Sequence, residues 1–199
     1  MARASIEEIR RKELTEAAWS VLQRQGYGGT TLSRVAEEAG VSKGMVLHYF
    51  RDKDELIERT MRLANALLRD EVVRRMALAR TPWERLLAIV EAQFDPAFYK
   101  PAICHAWLTL CAEVPRNRQF QRVQRVIHAR MHTNLMTALR PLLPEPDAER
   151  LARSLSALID GLWLRSGLGS AEVRTEDALA EAMLLVERAL PRKAGRRRA

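Results

Sequence analysis

Apolar positions recur along this chain at helical spacing, and compact stop signals separate one stripe from the next. Ile6, Leu14, Ala17 and Val21 share one side of a first helix, which Ser5 and Glu8 open as a capping box and which should run to about Arg24. Gly26, Gly28 and Gly29 then close it, because glycine enters the left-handed conformation that ends helices at little steric cost. Leu32, Val35, Ala36 and Ala39 form a short stripe beginning near Thr31 and halted by Gly40. Ser42 caps a third short helix through Phe50, and Asp52 with Glu55 opens a long fourth helix to about Ala79.

Thr81, Pro82 and Glu84 combine a cap, a first-turn proline and a box glutamate, predicting a fifth helix to about Phe94 before Asp95 and Pro96 break the pattern. Residues 97–113 are apolar almost all round, as in a helix enclosed by neighbours; Pro115 marks the next start, and that helix should reach Leu139. After a connector holding Pro141, Pro144 and Pro146, Asp147 caps a mostly apolar helix to about Leu168, and Thr175 to Leu190 is the last. No useful period-two segment occurs, so the predicted fold is all-α with about nine helices.

Charge changes this picture less than its total promises. The net charge is +8, yet Met1 to Thr60 carries ten basic and ten acidic side chains. Five of the excess charges sit in the tail Arg192, Lys193, Arg196, Arg197 and Arg198, a segment expected to be disordered. Cys104 and Cys111 lie seven residues apart on one helix and cannot bridge within it, which fits a reducing cytoplasm. The charged N-terminus lacks an apolar signal core, and no apolar run approaches membrane-spanning length.

Two short helices joined by the Gly40-Val41-Ser42 turn make a helix-turn-helix, whose second helix must offer one face to the major groove and bury the other. On a helical wheel Val46 and Phe50 turn inward with Val41, leaving Gly44, Met45 and His48 outward and Lys43, Leu47 and Tyr49 at the flanks. Phosphate anchoring falls to the Thr31 hydroxyl, Lys43, the Tyr49 hydroxyl and Lys53. Gly44 admits a close approach of backbone, His48 can bond a base edge, and Met45 or Leu47 can touch a thymine methyl.

The run from Thr30-Thr31-Leu32 through Val35-Ala36 to Ala39-Gly40-Val41-Ser42-Lys43-Gly44 and His48-Tyr49-Phe50 resembles the signature of the TetR family over about residues 10–60. One departure is Leu47, where the family often has tyrosine. The chain is further similar to the BetI type, choline-responsive repressors of glycine-betaine synthesis genes. That likeness is carried by His48-Tyr49-Phe50-Arg51-Asp52-Lys53, Thr60-Met61-Arg62 and Ala157-Leu158-Ile159-Asp160-Gly161-Leu162-Trp163-Leu164-Arg165.

The resemblance implies a homodimeric repressor on double-stranded palindromic operator DNA, with a DNA-binding domain at residues 1–52, a ligand-sensing and dimerisation domain at 53–190 and a basic tail at 191–199. Two recognition helices would sit one DNA turn apart, roughly 34 Å, and an effector would change that spacing by swinging the long fourth helix. It also implies dimerisation through the last two helices. In the sequence itself Leu151, Leu155, Leu158 and Leu162, with Leu179, Met183, Val186 and Leu190, keep helical spacing, a pattern that burial within one chain would equally produce.

Asp160 stands among apolar neighbours, and a carboxylate there needs a partner or a ligand. Trp107 and Trp163, with Phe94, Phe98 or Tyr99, can cage a quaternary ammonium such as choline by cation-π attraction, Asp160 supplying the countercharge. Alternatively the tryptophans are core or interface residues, Asp160 pairs with Arg165 or Arg130, and the effector is an apolar drug or metabolite. His128 and His132 have zinc-binding spacing but no third ligand, and the two cysteines and His105 read as packing residues, so neither metal nor cofactor is expected. A binding protein or enzyme without DNA contacts is the competing class; no nucleophile elbow, phosphate loop or catalytic carboxylate pair supports an enzyme.

Overall fold

The first amides of any helix have no partner within it, and four short polar side chains supply partners where the sequence places them. In the computed structural model, which describes residues 6–169 and 174–190, Thr31 Oγ1 accepts from Arg34 N at 3.2 Å and Ser42 Oγ from Met45 N at 3.1 Å. Asp52 accepts from Glu55 N at 2.8 Å and Thr81 Oγ1 from Glu84 N at 3.1 Å. The Thr81 box is complete, whereas Glu55 reaches past Asp52 to accept from Arg51 N at 3.0 Å.

These caps begin α2 (Leu32–Glu38), α3 (Lys43–Tyr49), α4 (Lys53–Leu78) and α5 (Pro82–Gln93), preceded by α1 (Ile6–Gly29). They are followed by α6 (Pro101–Cys111), α7 (Arg118–Leu139), α8 (Glu145–Gly167) and α9 (Thr175–Ala189). Among the described residues there are nine α-helices and no strand, which is the all-α architecture expected. Ser5 and the tail 191–199 lie outside the described residues.

Several boundaries differ from expectation, each for a local reason. The first helix does not stop at Arg24; it bends at Gly26, whose φ of 64° only glycine adopts freely, and continues one further turn to Gly29. Ile6, expected on the buried side, is 80% exposed at the helix start. Residues 97–100 are not helical, because Asp95 gathers the turn: its backbone oxygen accepts from Phe98 N and Tyr99 N, its side chain from Ala97 N, and Pro101 opens α6. Pro115 sits in a short 3-10 turn (Val114–Arg116), and Asn117 caps α7. α8 begins at Glu145, so Asp147 lies in its first turn, where a carboxylate complements the helix dipole, and is not its cap.

Three apolar cores result. Leu14, Ala18, Val21, Val35, Val46, Phe50 and Leu56 hold α1–α3 against the start of α4. Leu22, Ile57, Met61, Ala106, Leu110 and Phe120 join the end of α1 to α4, α6 and α7. The largest, around Leu86, Ile89, Leu135, Leu139, Leu155 and Trp163, binds α5 to α9. Leu151, Leu155, Leu162 and Val186 point into it, so those stripes serve the single chain. α4 and α7 run parallel, since Asp54 meets Asn117 at their starts and Asn65 meets Arg130 farther along.

Candidate functional site: a DNA-reading face and a cavity behind it

Gly40, at φ 66°, reverses the chain between α2 and α3, and Val41 N closes the turn on Ala36 O at 2.9 Å. That fixes the rotation of α3. Val46 and Phe50 are buried in the head core, while Lys43, Gly44, Met45, Leu47 and His48 are exposed, Met45 and Leu47 each by 44%. Tyr49 is half-buried, its ring edge-on to His48 at 5.0 Å. A Cβ built on Gly44 would meet only Ser42 Oγ at 3.7 Å, so nothing within the chain requires glycine there. Thr31 is exposed, its hydroxyl proton free of its capping role.

Lys53 departs from the expected phosphate anchors. Its ammonium donates to Tyr27 O at 2.7 Å and lies 3.7 Å over the Tyr27 ring, and burial lowers its pKa. Half-buried, it fastens α4 to the end of α1, and its ammonium is engaged by Tyr27 where the sequence led one to expect a free cation.

Behind the head, residues of α1 and α4 to α8 line an open cavity of about 150 Å³. Trp107, Asp160 and Trp163 line it together, with Phe98, Met131 and Asn65. Trp163 is fixed by donating its indole N–H to Gln93 O at 3.1 Å and by the edge of Tyr99 at 5.9 Å. Tyr99 Oη donates to Leu162 O at 3.1 Å, and burial pushes that hydroxyl up to about 12. Phe94 is the correction: it is buried against Tyr99 at 5.2 Å, supporting the wall from behind and not lining the cavity.

Asp160 is the only carboxylate on the lining, and among the described residues it has no hydrogen bond or ion pair. Arg130 is taken by Asn65, and Arg165 is exposed without pairing to Asp160. Asp160 is exposed toward the open cavity, yet the surrounding wall strips enough water to raise its pKa, which nearby His128 partly offsets. The same charge, added to burial, holds the Cys111 thiol up at about 12, and burial holds Cys104 at about 11, so both thiols are unreactive packing groups. His132 pairs with Glu149 and His128 with Gln124, and no cluster that could hold a metal occurs among the described residues.

Two features were missed. Trp19 of α1 lines the cavity, placing a head-helix side chain in the wall of the pocket. Gly167 is where α8 crosses α6: a Cβ there would lie 2.6 Å from Cys104 O. Only the isolated tryptophan beside the buried stripe, and the glycine within a helical pattern, hinted at either.

An exposed second helix of a helix-turn-helix, braced on one core and joined through a second to a domain with a cavity, is the arrangement of a helix-turn-helix transcriptional regulator. Bacterial regulatory proteins of the tetR family match residues 14–60, and the C-terminal domain of BetI-type transcriptional repressors matches residues 82–191. An HTH-type transcriptional regulator BetI of Rhizobium meliloti (strain 1021) is 37% identical over 180 residues, spanning 90% of this chain and 89% of the relative. The BetI of Burkholderia ambifaria (strain MC40-6) is 39% identical over 183 residues, spanning 90% and 93%. The chain belongs to the TetR family, with a BetI-type C-terminal domain. Its relatives are regulators and not enzymes.

Solved structures agree in fold. A transcriptional regulator of Pseudomonas aeruginosa PAO1 superposes with a TM-score of 0.79 at 30% identity, covering 93% of this chain and 91% of that one. One from Saccharomonospora viridis, solved in complex with choline, gives 0.82 at 23% identity, covering 92% and 97%.

Proposed function

We propose that the chain represses transcription as a cytoplasmic homodimer on palindromic operator DNA and responds to choline or another quaternary ammonium compound. Residues 1–52 read DNA, and residues 53–190 sense and dimerise. The carboxylate of Asp160, without a hydrogen bond or ion pair and lining a mainly apolar cavity together with Trp107 and Trp163, carries the ligand reading. A diffuse organic cation gains from both the ring faces and the countercharge, and the choline complex of the S. viridis regulator supports the choice.

The dimer reading rests on the outer side of α8 and α9. Leu164, Leu168 (64% exposed) and Leu184 lie outside the core, and Gly161 has nothing within 4 Å of its would-be Cβ, so a second α8 could approach closely. Thr31, Lys43, Gly44, Met45, Leu47, His48 and Tyr49 form the DNA-contacting set, with Lys53 joining only if it leaves Tyr27.

Isothermal titration of choline into wild type, Asp160→Asn and Trp163→Ala tests the ligand. Both variants should bind at least tenfold more weakly, as expected when a desolvated cation-π or charge contact of about 2 kcal/mol is lost. Equal affinities for all three proteins would end the quaternary ammonium reading. An apolar effector would instead bind Asp160→Asn as well as wild type.

A further inference from the structure

Between Glu113 and Glu145 the chain has six arginines and not one Asp or Glu. Many arginines elsewhere are neutralised locally, such as Arg24 by Glu38, Arg62 by Glu58, and Arg74 and Arg75 by Glu71, and of the six Arg140 pairs with Glu145 and Arg130 bonds Asn65. Arg116, Arg118, Arg122 and Arg125 are different. All four are exposed, and among the described residues none has an ion-pair partner.

Their position follows from the fold. α7 runs parallel to α4, and the two helix starts are tied by Asn117 Nδ2 donating to Asp54 Oδ2 at 2.9 Å. Asp54 is two residues beyond Asp52, which caps α4 directly after the recognition helix. Arg118, Arg122 and Arg125, spaced four and three apart, therefore lie on one side of the first two turns of α7, about 10 Å along its axis, at the head end of the domain.

Residues 1–60, the head with the first turns of α4, carry ten acidic and ten basic side chains, so their summed charge supplies no net attraction for a polyanion. We infer that the arginine row at the start of α7 is a second nucleic-acid contact surface, a sequence-independent one that takes phosphates of the same duplex held by the recognition helices. The inference rests on the DNA-binding reading above. Guanidinium groups free of intramolecular partners suit this task, because each can approach a phosphate and release its counterion without first breaking an ion pair.

The test is anisotropy of the full chain on an operator duplex and a scrambled duplex, from about 50 to 200 mM salt, a range over which counterion release is steep. Replacing Arg118, Arg122 and Arg125 together by Gln should reduce the slope of log Kd against log salt by up to about 5 for the dimer, three phosphate contacts on each protomer contributing about 0.9 apiece. Both duplexes should weaken by the same factor, leaving their ratio intact. The Arg→Lys triple variant should keep the wild-type slope, which separates charge from a packing defect. Arg140→Gln with Arg150→Gln, at the far end of the domain, should leave the slope unchanged.

An unchanged slope in the Gln triple variant, with operator binding intact, would overturn this inference alone. A slope reduced equally by the far-end pair would overturn it too, since net charge and not this surface would then be responsible. If wild type bound neither duplex, the DNA reading and the inference would fall together.

Discussion

Tyr27, on the last turn of α1, donates its hydroxyl to Asp54 Oδ1 at 3.0 Å, joining the end of the head's first helix to the start of the long helix that enters the sensor. The other Asp54 oxygen holds Asn117 at the cap of α7. Tyr27 N also donates to Thr109 Oγ1 at 3.1 Å on α6, the helix that carries Trp107 to the cavity. One residue of α1 thus meets α4 and α6, and its ring packs on Phe120 of α7.

Tyr27→Phe removes only the hydroxyl, keeping the ring against Phe120 at 6.0 Å and under Lys53. Operator affinity without effector should change by less than about fivefold, since one hydrogen bond contributes on the order of 1 kcal/mol. The ratio of operator affinities with and without choline should fall by about fivefold, because this bond must rearrange if α1 and α4 move apart. Gel shifts at a fixed choline concentration read this ratio; an unaltered ratio would remove Tyr27 from the transmission route.

Gly44 offers a cleaner separation of stability from recognition. With nothing in the chain crowding its Cβ position, Gly44→Ala should leave thermal stability equal or slightly higher, by up to about 1 kcal/mol from helix propensity. Operator binding should drop tenfold or more if the α3 backbone approaches DNA there. His48→Ala should instead relax preference at one base pair, at a cost of about 1–3 kcal/mol, visible when each operator position is varied in turn.

The head was legible because its information is local. Thr31, Ser42 and Asp52 bond amides three residues away, and the Val46–Phe50 stripe faces one core, so spacing alone located them. What the sequence concealed depends on distant pairs. Trp19 reaches the cavity only because α1 packs beside α6, Gly167 matters only because Cys104 of α6 lies against it, and Phe94 is set back by Tyr99. Lys53 looked like a free cation until the bend at Gly26 brought Tyr27 O to it.

That α6–α8 crossing permits a paired prediction. A methyl on Gly167 would sit 2.6 Å from Cys104 O and 2.8 Å from its carbonyl carbon, both backbone atoms that cannot swing aside. Gly167→Ala should destabilise by about 1–3 kcal/mol through forced separation of the helices, despite its better helix propensity. Gly161→Ala, two turns earlier on the open side, should not destabilise the monomer, but should raise the dimer dissociation constant if α8 pairs with its copy there. Denaturant unfolding of both variants with sedimentation across a dilution series distinguishes the two effects.

Asp160 should set an opposition between stability and ligand affinity that pH exposes. Its pKa is raised above the ordinary aspartate value, first by burial and with His128 opposing, so the folded chain binds this proton more tightly than the unfolded chain does. Stability then falls as pH climbs from the unfolded value near 3.8 through the raised folded value, and stays lower above it. Without ligand, Asp160→Asn should therefore melt at a higher temperature than wild type at neutral pH, the difference shrinking toward zero in acid. Choline runs the other way: it favours the ionised carboxylate, so wild-type affinity should rise through the same window and level off above it, whereas Asp160→Asn should bind with no such slope. Calorimetric titrations at a series of pH values, paired with melting curves, check both signs. A wild-type affinity independent of pH across that window would mean that the carboxylate does not face the cation.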